Sequence, residues 1–146
     1  MNEPNDYLQS TNQNQILVKV EQILEQRIKQ IATQAYQVEI LKIYQDLLQV
    51  IWNKILPTLG QVTVMAIMER ALVLTKEKYS LIRYLHITPQ GISFEELFLR
   101  LKQEEELIIQ EALKKLVVNV FDMLIMLTGD ILIQQLVVEL ENRKTF

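Results

Sequence analysis

The segment Leu113 to Leu140, LKKLVVNVFDMLIMLTGDILIQQLVVEL, is the longest apolar-periodic run in the chain. One seam passes through Leu113, Val117, Val120, Leu124, Leu127 and Ile131. Its steps alternate four and three, the period of an α-helix packed against another helix. A second seam passes through Phe121, Ile125, Leu132, Leu136 and Leu140. Between Leu113 and Leu127 the polar surface narrows to a line through Lys115, Asn119 and Asp122. A helix with so little polar surface needs other helices around it. The expectation is therefore an all-α fold, a bundle of about five or six helices around this buried C-terminal helix. Gly129 interrupts the run at a cost of about 1 kcal/mol relative to Ala. It is read as a kink before Asp130, which would cap a new segment; the alternative is close approach of another backbone.

The same segment is a poor membrane span. Leu116 to Leu127 is too short and already contains Asn119 and Asp122, whereas spanning takes about 20 predominantly apolar residues. Extending it adds Asp130, and a charge near the bilayer centre costs at least roughly 2.5 kcal/mol. No membrane association is expected. The chain of 146 residues carries a net charge of −3 with no basic block, which counts against nucleic-acid partners that need clustered Lys and Arg. It contains no cysteine, so disulfides, thiolate zinc sites and cysteine nucleophiles are excluded. The first residues, MNEPNDYLQS, lack the basic and apolar regions of a secretory signal, and a cytoplasmic location is expected.

Residues 1–13 are polar and read as a mobile tail, followed by a single helical domain over 14–146. From Asn14 the positions Leu17, Val20, Leu24, Ile28, Ile31, Ala35 and Val38 keep a helical rhythm, continued by Ile40, Ile43, Leu47 and Ile51. No Gly or Pro occurs between Asn14 and Pro57. Either one helix of roughly 60 Å or two helices joined by a kink at Ile31–Gln37 satisfies this pattern. Gln22, Gln26, Gln30 and Gln34 form an uncharged strip on it. Pro57 should end this unit, because proline lacks an amide donor and constrains its predecessor. Thr58-Leu59-Gly60-Gln61 and Ser93-Phe94-Glu95-Glu96 both have the spacing of a capping box. Between them Lys76 to His86 suggests a short helix of two turns. Thr88-Pro89-Gln90-Gly91 suggests a type I turn, with Ile87 and Ile92 flanking a small turn or two-stranded ribbon near residues 86–93. Such a ribbon is stable only when it rests on helices.

The chemistry is sparse. His86 is the only histidine, which excludes a two-histidine metal site; a lone axial haem ligand needs only one residue. Gly60, Gly91 and Gly129 lie too far apart for a phosphate loop. Asp122 would have a raised pKa if buried in the greasy helix. No catalytic residue, metal ligand or cofactor is assigned, and His86 and Asp122 are left without a role. The expected function is a non-enzymatic helical interaction module, a homodimeric regulatory or scaffolding protein with a protein partner open. The expected dimer contact is the early stripe Leu17, Val20, Leu24, Ile28 and Ile31. The alternative is a helical sensor that holds an apolar or tetrapyrrole-like small molecule against Met65, Met68, Tyr79, Tyr84 and His86. A third reading, a DNA-binding regulator with the 86–93 ribbon as its wing, is disfavoured by Glu95 and Glu96 beside it.

Overall fold

The computed structural model describes residues 4–29, 36–101 and 106–143. Among them are six α-helices and one small ribbon: α1 (Pro4–Lys29), α2 (Tyr36–Leu59), α3 (Gln61–Lys76), β1 (His86–Thr88), β2 (Gly91–Ser93), α4 (Glu95–Leu99), α5 (Glu106–Thr128) and α6 (Ile131–Asn142). A 3-10 turn, Ser80–Tyr84, lies between α3 and the ribbon. The architecture is an all-α bundle with one antiparallel ribbon, as the periodicity predicts.

α5 is the centre. Leu113, Leu116, Val117, Val120, Phe121, Leu124 and Ile125 are all buried, and α5 touches α1, α2, α3, α6 and the 3-10 turn. Its most extensive partner is α3, which buries Val64, Ile67, Met68, Ala71 and Leu72. A polar contact sets the register of this pair. The Thr75 hydroxyl donates to the Ala71 carbonyl at 2.7 Å and accepts from Asn119 Nδ2 at 2.9 Å. Satisfied in this way, Thr75 is buried without the cost of an orphaned hydroxyl. Asn119 is thus a cross-helix tie and not merely part of a solvated line.

The long C-terminal run does not form one helix. α5 stops at Thr128, Gly129 has φ +73°, and α6 begins at Ile131. The Gly129 amide closes the last turn on the Ile125 carbonyl at 2.9 Å. α6 then packs on α1, α2 and α5 through Ile133, Leu136, Val137 and Leu140. Asp130 occupies the N-cap position, but its side chain makes no capping hydrogen bond. A positive φ is cheap only for glycine, so the break falls where the sequence allows it.

The first unit consists of two helices. α1 runs to Lys29 and α2 starts at Tyr36; most of the expected kink, Ile31 to Ala35, lies outside the described residues. α1 begins at Pro4, well ahead of Asn14, consistent with proline's tolerance in a first helical turn. α2 continues through Pro57 to Leu59, so Pro57 does not end it. Gly60, at φ 84° and ψ 161°, does. The Thr58 capping box is absent: Gly60 is the N-cap of α3, and no side chain caps it. Proline removes one amide near the end of the helix, whereas a glycine-only backbone conformation turns the chain.

The ribbon forms at the expected place, with Ile87 opposite Ile92 and Thr88 opposite Gly91. It rests on helices, β2 on α2 and β1 on α3. The expected two-turn helix before it is the shorter 3-10 turn. After it Phe94, not Ser93, is the N-cap of α4, and Ser93 Oγ accepts from the Glu95 amide at a long 3.4 Å.

Candidate functional site

The helices hold the ribbon by side-chain amides. Gln49 Nε2, on α2, donates to the Gln90 carbonyl at 2.9 Å and to Asn53 Oδ1 at 3.0 Å. Gln61 Nε2, at the start of α3, donates to the Pro89 carbonyl at 2.8 Å. The Thr88 hydroxyl donates to the Gly91 carbonyl at 2.8 Å and accepts from the Gln90 amide. Two consecutive turn carbonyls are therefore held by two different helices. The spacing of Gln61 suits a local capping role, and the tertiary contact takes its place.

His86 does not point into the core. Its side chain is 54% exposed, and Nε2 meets Glu96 Oε2 of α4. Glu96 is the residue that the capping box would have turned back on Ser93. Among the other candidates for a small-molecule pocket, Met68 is fully buried in the core. Tyr84 is buried beneath two guanidinium groups, with Arg83 and Arg100 at 4.8 and 5.4 Å from its ring centre. Met65 and His86 do share an open groove of about 470 Å³ between α3 and the segment that leads into the ribbon, and Tyr79 is not among its lining residues. Its base, Leu72, Ile82 and Leu85, is buried by the chain's own packing, and Glu69, Lys76, Arg83 and His86 also line it. The five residues do not converge on one cavity. Asp122 is half-buried, and burial pushes its carboxyl above the ordinary carboxylate range, opposed by the nearby charge of Lys115.

The early stripe does not present a free face. Val20 and Leu24 are buried, and Leu17 and Ile28 pack against the same core; Ile31 lies outside the described residues. α2 and α5 cover this side of α1, with Glu21 paired to Lys114 at 3.8 Å. Gln22 and Gln26 are exposed; Gln30 and Gln34 are not among the described residues.

Exposed large apolar side chains occur at several places among the described residues, Val62, Leu99 and Leu107 among them, and three lie close together in the chain around Gly129. Met126, Leu127 and Ile131 are 77%, 62% and 69% exposed. Leu127 and Ile131 are the last two members of the seam whose earlier members are buried through Leu124. The residues were visible in the sequence as part of that seam. Their exposure was not, because it depends on where the chain turns. Groups of this kind, large apolar side chains clustered outside a closed core, mark interaction surfaces. No family model matches the chain, and no curated protein or solved structure matches it either. Among the described residues no group of His, Asp and Glu could hold a metal ion, and no helix is long and apolar enough to cross a membrane.

Proposed function

We propose that this chain is a non-enzymatic helical interaction module that works as a homodimer in a regulatory or scaffolding role, with the α5–α6 corner as its contact. One observation carries the reading: the core seam of α5 runs past Leu124 into solvent at Leu127, with Met126 beside it and Ile131, at the start of α6, also exposed. A seam with helix-packing spacing and no helix on it is a surface for a second helix. Closed two-fold pairing is the commonest way that soluble chains cover such a face. The cysteine-free composition fits a reducing compartment, and the proposal places the protein in the cytoplasm.

Sedimentation equilibrium of the full chain at micromolar concentration tests this. The unmodified chain should associate as a dimer, and Leu127→Asp should shift it to monomer while its helical circular dichroism is retained. A monomer at all concentrations up to the millimolar range would overturn the reading.

A further inference from the structure

The apolar corner sits on a one-residue joint. Thr128 is helical, and Asp130, at φ −94° and ψ −12°, is already in the right-handed helical region. Gly129 alone, at φ +73°, separates α5 from α6. Turning that single residue to helical dihedrals would make one helix from Glu106 to Asn142, roughly 55 Å long. The side-chain pattern is in phase across the joint. Leu124, Leu127 and Ile131 keep steps of three and four, and Ile125 to Leu132 is a full heptad. A break that evolved only as a turn has no need of phase on its two sides.

We infer that the homodimer forms by exchange of α6: Gly129 straightens, and each α6 docks on the partner copy as it docks on its own chain in the monomer. This rests on the self-association reading above and specifies its form. The exchange reproduces existing contacts. In one chain α6 is tied to α1 by Lys19–Glu141 at 3.3 Å and to α2 by Lys54–Glu139 at 3.5 Å, beneath its buried face of Ile133, Leu136, Val137 and Leu140. All of these would recur between copies, so the only new interface is the joint itself. There the two straightened helices would meet near Gly129. Met126, Leu127 and Ile131 of one copy would then cover those of the other. This gives the three exposed residues an occupant. Short hinge connections favour such exchange.

Two experiments decide it. The chain has no cysteine, so Lys19→Cys with Glu141→Cys supplies the only thiols, at two exposed positions that face each other. A short bis-maleimide reagent should join two chains in the dimer, seen as a doubled mass in denaturing electrophoresis. A dimer in sedimentation whose reagent links stay within one chain would overturn the exchange and leave self-association standing. A monomer with links within one chain would overturn both. The second experiment is Gly129→Ala. A Cβ there meets no atom within 4 Å, so the change penalises the positive φ of the turn and favours the straight helix. The dimer dissociation constant should fall by about tenfold or more. Insertion of Gly-Ser-Gly after Gly129 should raise it, because a relaxed joint closes without strain. An unchanged or weakened dimer in Gly129→Ala would overturn the exchange.

Discussion

Two glycines join pairs of helices in this protein, and the two joints are held differently. Gly60 joins α2 to α3 and Gly129 joins α5 to α6, both at positive φ with no atom within 4 Å of where a Cβ would lie. At the Gly60 joint the next residue, Gln61, is hydrogen-bonded to the ribbon turn, and Gln49 of α2 holds the adjacent carbonyl. The joint is pinned by a third element. At the Gly129 joint the neighbours are Met126, Leu127 and Ile131, all exposed. A glycine turn alone therefore does not say whether a joint is rigid. What matters is whether a third element holds the joint; exposure alone does not separate the two, since Val62 beside Gly60 is itself exposed. The pinned joint builds the core, and the bare joint is where a second chain can enter.

The sharpest contrast along the bare joint is within its own seam. Leu124 is completely buried and Leu127, one helical turn on, is 62% exposed. Leu124→Ala should cost about 2–5 kcal/mol of folding stability, the range for deleting a buried leucine. Leu127→Ala should cost under about 0.5 kcal/mol when measured at concentrations where the chain is monomeric, as surface substitutions do. Urea denaturation of both variants at low concentration measures the pair. Equal losses would erase the distinction between the two halves of the seam.

The two joints should also respond differently to alanine. Gly60 adopts φ 84° and ψ 161°, a region that is essentially glycine-only, where strain costs of order 1–3 kcal/mol. Gly60→Ala should lower the denaturation midpoint without changing association. Gly129→Ala should change association most. If Gly60→Ala also raised the dimer fraction, the pinning by Gln61 would be irrelevant.

Gln61→Ala tests that pinning directly. It removes the donor to the Pro89 carbonyl, and a hydrogen bond of this kind contributes about 1 kcal/mol net. The loss should be specific to the ribbon: amide exchange at Gly91 to Ser93 should quicken while exchange in α5 stays slow. Uniform exchange throughout would mean that the ribbon is not a separately held unit.

The smallest effect concerns the anchoring of α6 at low pH. A hydrogen bond from Arg143 holds the Glu139 carboxyl below the usual carboxylate range, with the Lys54 charge acting in the same direction against slight burial. A depressed folded value means that the stabilisation is present above the unfolded pKa and is lost as pH falls through the folded one. The side chain is half-buried and its ion pairs are screened by solvent, so the effect is small. Glu139→Gln should flatten the acid limb of the stability curve slightly. Asp46 and Asp122 shift the opposite way through burial, so the comparison is between variant and parent at each pH. An acid limb unchanged by the substitution would remove Glu139 from this role.

Much of the fold was legible in the chain itself. Apolar residues at steps of three and four need a helical partner, and that requirement identified α5 as the centre, while the Thr88–Gly91 turn signal placed Ile87 and Ile92 in a ribbon. The same local rules placed the C-terminal break at Gly129, where glycine allows a positive φ, but put the end of α2 at Pro57, where the fold has it at Gly60. They did not decide which groups take which partners. Gln61 and Glu96 have the local spacing of capping residues, yet the tertiary fold gives them the Pro89 carbonyl and His86. Periodicity likewise made Leu124 and Leu127 equivalent members of one seam. Their environments differ because burial is a property of what lies across the seam, and that neighbour comes from elsewhere in the chain. The sequence by itself determined that the chain is a helical bundle, that α5 is its centre and that the C-terminal run can break at Gly129. Only the tertiary structure decided that the turn at Gly129 leaves three apolar side chains uncovered.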